Sequence, residues 1–423
     1  MTEPTTLLLV TTRYPYGHGE EFLETEIKYL AREFDTVIVA PSETSDAMRE
    51  IPANVELDLS LANLLSKMRD MCSHAILGTT FRSLALAITG LRDFRLSRKP
   101  YTFLYQTLRA AFRAGLAQHW LEKRPSQEQV SLLIYCYWLN EIALGLALAS
   151  RTQGGPKVIC RAHRHDLYEE EMPAGKRPLH TLFEENIDAI FAVSESGLES
   201  LKKQFPALEE SLTLSRLGVE DPESRGLRIP HTREPGTSRI VSCSTLSPVK
   251  RLPLLLAALK HLGDRFPTNR FDWHHFGGNG SSLDALKQEA LETLPSNVVP
   301  HCHGQLSNRQ VLDFYSSNHV DVFVNVSSSE GIPVSIMEAM SFGIPVVATD
   351  VGGTREAVVP GSGLLLSPNP SFQEVATALA EHLVAPNVWQ EMRACARKTW
   401  AARYDAAKNY PTFAKQLKSL AVS

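Results

Sequence analysis

Short apolar runs alternate with helix-periodic stretches in both halves of the chain, and this alternation limits the fold more than any other feature. The apolar run at 6–11 is followed by a helical pattern at 22–33, and then by a second apolar run at 36–41. A strand, a helix and a strand in this order form a parallel βαβ unit. The first half is therefore expected to be a doubly wound α/β domain.

The same pattern continues and then restarts after a break. Further strands of the first half are predicted at 131–135, 157–161 and 189–193, with helices near 139–150, 178–186 and 196–205. Proline and glycine recur in 218–238 with little periodicity, which is typical of a linker. Beyond it, strands are predicted at 239–243, 271–276, 298–302, 320–326, 345–349 and 363–366, with helices near 251–263, 281–293, 308–316, 334–341, 371–384 and 387–402. Two consecutive doubly wound domains are expected.

Composition excludes several classes of protein. The formal net charge of -4 argues against a nucleic-acid partner, whose footprint is usually basic. The six cysteines show no CxxC spacing, so neither a disulfide framework nor a zinc site is expected. No apolar run reaches the roughly 18 residues that span a bilayer, and no signal peptide is visible. These features predict a cytoplasmic protein.

One segment differs from the rest of the chain in its charge. Residues 61–125 hold 11 Lys/Arg and three acids, a net charge of +8 (11 - 3), interleaved with large apolar residues. The segment is predicted to be a helical insertion. A basic amphipathic surface favours contact with an anionic membrane or an acidic partner, and a solvated basic face is the alternative.

Glu330 and Glu338 are separated by seven residues in the segment that follows the predicted strand at 320–326. Pro333 suits the first position of the next helix, so Glu330 is expected on a loop and Glu338 inside that helix. Amides at a helix start attract phosphate, and carboxylates accept hydrogen bonds from hydroxyl groups. The segment therefore suits a nucleotide-sugar, although the spacing alone also fits two solvated glutamates.

The run at 327–357, SSSEGIPVSIMEAMSFGIPVVATDVGGTREA, resembles the donor-site segment of glycosyltransferase family 4, a retaining family with the GT-B fold. This resemblance implies two doubly wound Rossmann-like domains that face a central cleft. The expected divisions are an acceptor-binding domain at 1–220, a linker at 221–238, a nucleotide-sugar-binding domain at 239–400, and a closing helix at 401–423 that packs back on the first domain. The segment at 45–128 lies outside the resemblance.

By the same resemblance, the donor site uses five stretches of the chain. Lys250 matches a lysine that clamps the diphosphate, whereas Thr245 stands where an arginine is expected and Arg251 is the residue that could compensate. Glu330 contacts the donor sugar and Glu338 the ribose. The other expected donor contacts are Gly331, Ile332, Pro333 and Val334, the glycines Gly17, Gly19, Gly277 and Gly278, and Gln305.

A second set of residues is expected around the acceptor. Residues 161–168, RAHRHDLY, resemble the family's histidine and aspartate element, with His163 as a catalytic-site histidine and Asp166 as its neighbour. His165 is the alternative histidine if the match slips by two positions, and Arg161 adds positive charge.

The resemblance implies a retaining hexosyltransferase that uses a UDP- or GDP-sugar and a glycan, lipid-linked or other hydroxyl acceptor in cell-surface polysaccharide or glycoconjugate synthesis. No D-x-D triplet occurs in the chain, so no obligatory metal ion or cofactor is expected. Two alternatives stay open: a GT-B nucleotide-sugar 2-epimerase, and a non-catalytic nucleotide-sugar-binding partner protein.

Overall fold

The computed structural model describes residues 4–17, 19–45, 47–70, 76–90, 99–124, 131–169, 172–230, 236–384 and 386–422. The chain divides into two compact units. Unit 1 comprises Met1–Arg216 and Tyr410–Ser423, and unit 2 comprises Leu217–Asn409.

Unit 1 contains a seven-stranded parallel sheet with the order β3-β2-β1-β4-β5-β6-β7. Its strands are β1 (Thr6–Thr11), β2 (Thr36–Pro41), β3 (Val55–Leu57), β4 (Leu132–Cys136), β5 (Val158–Ala162), β6 (Ala189–Ala192) and β7 (Leu212–Leu214). Its helices are α1 (Leu23–Glu33), α2 (Ser60–Asp70), α3 (Ile76–Gly90), α4 (Pro100–Glu122), α5 (Glu141–Gln153), α6 (Arg164–Leu167), α7 (His180–Asn186) and α8 (Glu195–Gln204). Leu7, Leu8 and Leu9 of β1 are fully buried, because a central parallel strand is covered on both faces.

Unit 2 contains a six-stranded parallel sheet with the order β10-β9-β8-β11-β12-β13. Its strands are β8 (Thr237–Cys243), β9 (Arg270–Phe276), β10 (Val298–Gly304), β11 (Val322–Asn325), β12 (Val346–Thr349) and β13 (Gly363–Leu366). Its helices are α9 (Leu252–Arg265), α10 (Gly280–Thr293), α11 (Asn308–Ser317), α12 (Val334–Ser341), α13 (Thr354–Ala357), α14 (Phe372–Val384) and α15 (Pro386–Arg403). The last helix, α16 (Ala406–Val422), begins in unit 2 and ends in unit 1.

These two parallel sheets confirm the predicted fold class, two Rossmann-like α/β domains. The short strands β3 and β7 were not predicted, because three residues carry too little periodicity to be recognised. The predicted insertion at 61–125 contains the helices α2, α3 and α4. None of the described helices combines the length and the apolar character needed to cross a membrane.

The linker expected at 221–238 stays a prediction, and the structure shows the local contacts of this segment. Its described part belongs to the compact body of unit 2, where Arg397 pairs with Asp221 at 2.7 Å and Arg393 donates to the Pro230 carbonyl at 2.9 Å. Arginines of α15, more than 150 residues away in sequence, therefore hold this segment. Its composition alone could not show these partners.

Candidate functional site

The strand order of unit 2 reverses between β8 and β11. In doubly wound sheets, ligands bind outside the carboxyl ends of the strands at this reversal. The loop after β8 carries Thr245 and Lys250, and the loop after β11 carries Glu330. The sequence-predicted donor residues therefore follow the two strands where a ligand is expected.

Lys250 and Glu330 form an ion pair across 80 positions of sequence, with Lys250 Nζ at 2.5 Å from Glu330 Oε1. Asn325 Nδ2 donates to the same oxygen at 3.2 Å. The Glu330 side chain is 8% exposed and that of Lys250 is 23% exposed. Lys250 and Asn325 thus fix the orientation of the Glu330 carboxylate, which is nearly buried at the carboxyl end of the sheet.

The two loops are also joined through their backbones. Ser328 N donates to Val249 O at 2.8 Å, and Ser327 N donates to Asn325 Oδ1 at 3.0 Å. These hydrogen bonds of Val249, Asn325, Ser327 and Ser328 therefore set the position of Lys250 relative to Glu330, which does not depend on one flexible side chain.

Glu338 lies on α12, which begins directly after Pro333. Its carboxylate accepts a hydrogen bond from Asn308 Nδ2 at the start of α11 and is 9% exposed. The Cys243 thiol at the end of β8 has its pKa raised to about 12, chiefly by burial and further by the Glu338 charge, with Lys250 acting in the opposite direction. Glu338 and Lys250 therefore both lie close to the end of β8.

The amino end of α12 completes the candidate donor site that contains Lys250, Glu330 and Glu338. Gly331 O accepts from Gly353 N at 2.7 Å, which ties the loop to the turn after β12. Gly331, Ile332 and Pro333 are buried, and Val334 is half-buried. The first amides of a helix point out of its amino end and carry a partial positive charge, so this end can receive a phosphate.

Arg251, a predicted donor contact, directly precedes α9. Its guanidinium donates to the carbonyl oxygens of Val326 at 2.6 Å, Ser327 at 2.7 Å and Pro368 at 3.0 Å. Its backbone φ is +49°, in the left-handed region. The guanidinium also donates to Asn369 Oδ1 at 3.2 Å, so Arg251 stabilises the loop after β11. Its role at the donor, in place of the residue at Thr245, stays a prediction.

The other predicted donor residues surround the ends of β8 to β10. Gly277 has φ +120°, and a Cβ there would lie 2.0 Å from Ser244 O, so only glycine fits where the loops after β8 and β9 meet. Gly278 packs in the same way on Leu246. Thr245 and Gln305 are exposed.

In unit 1, a residue that the sequence analysis did not single out organises the loop after β1. Glu20 is 3% exposed, and its carboxylate accepts from the amides of Thr12 at 2.9 Å and Tyr14 at 2.6 Å. Trp138 Nε1, from the loop after β4, donates to it at 2.5 Å. Since β1 and β4 flank the reversal of strand order in this sheet, Glu20 joins the two loops where unit 1 would bind a ligand.

Gly17 and Gly19 lie in the loop that Glu20 holds, with φ +57° and +108°. Gly19 N donates to Glu21 Oε1 at 3.0 Å, and Gly17 O accepts from the Arg49 guanidinium. Both glycines supply the left-handed backbone of this turn. A role at a donor diphosphate stays a prediction.

His163 ends β5 and is 7% exposed. Its ring packs on Tyr137 and Trp138, with centroids at 4.5 Å and 4.8 Å, and its Nε2 is buried without a hydrogen-bond partner among the described residues. Burial, together with the nearby Arg161 charge, holds the pKa of His163 well below its usual value. The His163 ring is therefore neutral at pH 7. It is suited to donate or accept a hydrogen bond, and not to attract an anion by its charge.

Asp166 supports the same turn from inside. It accepts from the amides of His163 and Leu139, each at 3.3 Å, and burial raises its pKa to about 6. His165 is exposed and lines a cavity of about 260 Å³. The structure thus separates the two histidines: His163 packs under the loop after β4, whereas His165 faces open space.

Arg161 does not lie at an open site. Its side chain is fully buried, pairs with Glu26 and donates to Ser215 Oγ at 2.9 Å. The guanidinium lies 4.2 Å from the ring centroid of Phe413 on α16. The anion-attracting role expected from its position is replaced by an internal one, since Arg161 joins α1, β5 and α16 within unit 1.

Comparison with known families agrees with this reading of unit 2. Residues 227–399 match the family described as "Glycosyl transferases group 1". The O-antigen biosynthesis glycosyltransferase WbnH of Escherichia coli is 37% identical over 92 residues, which cover 22% of this chain and 24% of WbnH. The chain spans about a quarter to a third of the length of these curated relatives.

Solved structures extend the likeness to the whole fold. The lipopolysaccharide outer core galactosyltransferase WaaB in its apo form has a TM-score of 0.66 at 15% identity and covers 98% of this chain and 99% of its own. Anabaena Alr3699/HepE in complex with UDP-glucose has a TM-score of 0.63 at 16% identity, with coverage of 98% and 99%. The chain therefore carries a group 1 glycosyl transferase domain within a fold shared with GT-B glycosyltransferases.

Proposed function

We propose that the protein is a glycosyltransferase that moves a hexose-type sugar from a nucleotide-diphosphate donor, bound by unit 2, to a hydroxyl group of a glycan or lipid-linked acceptor. The observation that carries the proposal is the Lys250–Glu330 pair beside the amino end of α12, at the strand reversal of unit 2. The match of residues 227–399 to group 1 glycosyl transferases supports it. Family 4 membership and retention of anomeric configuration are part of the proposal.

In this proposal, Lys250 and the α12 amides receive the diphosphate. Negative charge grows on the leaving phosphate as the glycosidic bond breaks, and preorganised positive groups lower the barrier most when they meet that growing charge. The ion pair with Glu330 holds Lys250 in place before the donor arrives.

Glu330 positions the donor sugar. Both of its observed hydrogen bonds end on Oε1, so Oε2 is the atom that we propose accepts from a sugar hydroxyl. Glu338 accepts from a ribose hydroxyl after exchanging or sharing its contact with Asn308. A carboxylate can make both contacts at once, since it has two oxygens with several lone pairs.

The acceptor would be recognised by unit 1, whose loops after β1, β4 and β5 are joined by Glu20 and His163. A cytoplasmic location with peripheral contact to an anionic membrane through the basic segment at 61–125 belongs to this proposal. The described cysteines, Cys136, Cys160, Cys243, Cys302 and Cys395, are free thiols, which is compatible with a reducing compartment.

We also propose that the reaction needs no resident metal ion, because Lys250 and the α12 amides already supply positive potential at the diphosphate. Full activity after exhaustive chelation supports this. Activity that is lost on chelation and returns with one divalent ion contradicts it.

The binding step is tested by thermal shift with UDP, GDP and a panel of UDP- and GDP-sugars, since a ligand that binds the native state raises its melting temperature. We expect one nucleotide series to stabilise the protein. No stabilisation by either series would refute a UDP or GDP donor.

The transfer step is tested by nucleotide release with the stabilising donor, with and without a panel of glycan and lipid-linked acceptors. Acceptor-dependent release with a glycosylated product supports transfer. Conversion of the donor to its C2 epimer, without acceptor product and without net release of nucleotide, favours the epimerase, and binding without turnover favours a non-catalytic partner protein. The anomeric configuration of the product, read by NMR, decides retention.

A further inference from the structure

Two cavities of unit 1 lie at the carboxyl edge of its sheet, and the side chain of Arg109 on α4 lines both of them. The larger cavity, of about 580 Å³, is bordered by Arg13 after β1 and by residues 42–44 after β2. The smaller cavity, of about 260 Å³, is bordered by residues 139–141 after β4 and by His165 after β5. Strand order reverses between β1 and β4, so both cavities lie where a doubly wound sheet binds a ligand.

The helices α2 and α4 form the other wall of the larger cavity. The residues of α4 that line it are spaced three, one and three positions apart, so they lie on one side of that helix. The lining residues of this wall are Arg109, Phe112, Arg113 and Leu116 of α4 and Ala62, Leu65 and Ser66 of α2. Part of the helical insertion therefore closes a cavity over the ends of β1 and β2.

This helical wall is held firmly in place. The backbone of α4 lies directly against α5, since a Cβ added to Gly145 would lie 2.1 Å from Ala114 O. Trp120 Nε1 donates to Ser60 Oγ at 2.7 Å, which joins the end of α4 to the start of α2. A site that is already formed before its ligand arrives loses less conformational freedom on binding. The larger cavity has this property on its helical side.

The larger cavity has more positive than negative charge along its lining. The charged residues among its described lining are Arg13, Arg109, Arg113 and Glu43. Arg13 pairs with Glu43 at 3.0 Å, and Arg113 pairs with Glu141 of α5 at 2.7 Å. Arg109 has no hydrogen bond or ion pair with another described residue. The charge of its guanidinium is therefore not neutralised within the described part of the chain.

The smaller cavity differs, because its lining is balanced in charge. Arg109 and Arg177 lie there together with Glu141 and Asp166. Gln106 adds a neutral amide that can donate to and accept from hydroxyl groups. An anion is consequently expected in the larger cavity, whereas the smaller one suits an uncharged polar part of the same ligand.

We propose that the larger cavity binds an oxyanion group, a phosphate or a carboxylate, of a saccharide, and that Arg109 pairs with this group. A guanidinium presents parallel N–H donors that fit both oxyanions, and a cleft lined by one sign of charge concentrates ligands of the opposite sign. Phe112 and Leu116 supply the apolar surface that ligand pockets usually combine with a few polar groups.

The inference rests on the proposed function in one respect, which is that the anionic saccharide is the acceptor. The donor diphosphate is assigned to Lys250 and α12 in unit 2, so the anion at Arg109 belongs to the other substrate. The acceptor class is thereby narrowed from any hydroxyl compound to a saccharide that carries a negative charge.

The test is a ligand-observed NMR titration of the full chain with glucose 6-phosphate, glucuronate and glucose, in the absence of any nucleotide-sugar. We expect both anionic sugars to bind at least about tenfold more tightly than glucose, the loss typical of a missing hydrogen bond to a charged group. Added salt should weaken the binding of both. Tighter binding of glucose 6-phosphate assigns a phosphate-bearing acceptor, and tighter binding of glucuronate assigns a uronic acid.

Two variants locate the anion. Arg109→Gln should weaken binding of both anionic sugars at least about tenfold and leave the affinity for glucose unchanged. Ser66 is exposed on the opposite wall of the larger cavity, so Ser66→Glu should weaken the same two ligands by repulsion. The matched control is Arg265→Gln, because Arg265 of α9 is likewise exposed and has no ion pair among the described residues. The control should bind all three sugars as the wild type does.

Four results would overturn the proposal: no binding of either anionic sugar, equal affinity for glucose, equal losses in Arg109→Gln and Arg265→Gln, or unchanged binding in Ser66→Glu. A loss in Lys250→Ala as large as that in Arg109→Gln would place the anionic sugars at the candidate donor site instead. Because no donor is present, this binding can fail while transfer to a neutral acceptor is observed, and it can hold where no transfer occurs. Failure of the cavity and failure of the proposed function are therefore distinguished.

Discussion

Replacing Glu26 with glutamine tests the role that the structure gives to Arg161. The two side chains are fully buried and paired, so Glu26→Gln leaves a guanidinium charge without its carboxylate in the interior of unit 1. Breaking one side of a buried ion pair costs about 3–5 kcal/mol. Glutamine can still accept the hydrogen bond that Tyr135 donates at 2.8 Å. We therefore expect unit 1 to lose about 3 kcal/mol of stability, at the lower end of that range.

Hydrogen exchange read by mass spectrometry is the suitable assay, because global unfolding of a chain with two units need not be two-state. A loss of about 3 kcal/mol corresponds to about a hundredfold increase in the opening equilibrium, and to the same increase in exchange rate. The affected peptides should cover β5 and residues 410–417 of α16, where Phe413 packs on Arg161. Peptides of unit 2 should exchange as in the wild type.

Asp264→Asn is the control. It breaks the Lys260–Asp264 pair on α9, whose side chains are 52% and 50% exposed, and exposed pairs of this kind contribute about 0.5 kcal/mol or less. Exchange that is no faster in β5 of Glu26→Gln than in the control would refute the reasoning. The double variant Glu26→Met/Arg161→Met should recover much of the loss, since no charge is then left buried.

Three further predictions concern the candidate site. Lys250→Ala should lower turnover more than donor affinity, because the leaving-group charge develops in the transition state; equal losses would make Lys250 a ground-state clamp. Glu338→Gln should weaken binding of the bare nucleotide by about tenfold, the loss expected for a hydrogen bond to a charged group; unchanged affinity in calorimetry would remove the ribose role. Burial raises the pKa of Asp166 from 3.8 to about 6, so its contribution to stability is present below about pH 4 and is lost as the pH rises through 6. The wild type should therefore lose about 3 kcal/mol between those limits relative to Asp166→Asn; parallel pH profiles of the urea midpoints would contradict this.

The local sequence pattern was sufficient to predict the main helices and strands and part of the candidate site. The predicted helix at 334–341 has the observed bounds of α12, and the strands of unit 2 were placed within a few residues. Glu330 and Glu338 fall on the loop and the helix where the sequence put them. Periodicity and the position of Pro333 act over a few residues, which is why a linear reading can find them.

Hydrogen bonds between residues that are distant in sequence could not be predicted from the local pattern. The sequence did not show that the Arg251 guanidinium donates to the carbonyls of Val326 and Ser327. Glu20 was passed over because a glutamate in a glycine-bearing loop has no distinctive pattern, although it collects amides from one loop and the Trp138 indole from another. Each of these contacts depends on the order of the strands, which brings separate loops together.

The order of apolar runs, glycines and prolines along the chain determined that two parallel α/β sheets would form and where the Glu330–Glu338 segment would lie. Only the tertiary structure decided which charges meet: Lys250 with Glu330 at the surface end of a sheet, and Arg161 with Glu26 in the interior. The reason is physical. Backbone conformation and burial patterns are set by neighbours a few residues apart, whereas the environment of a charge is set by whatever the packed chain places around it.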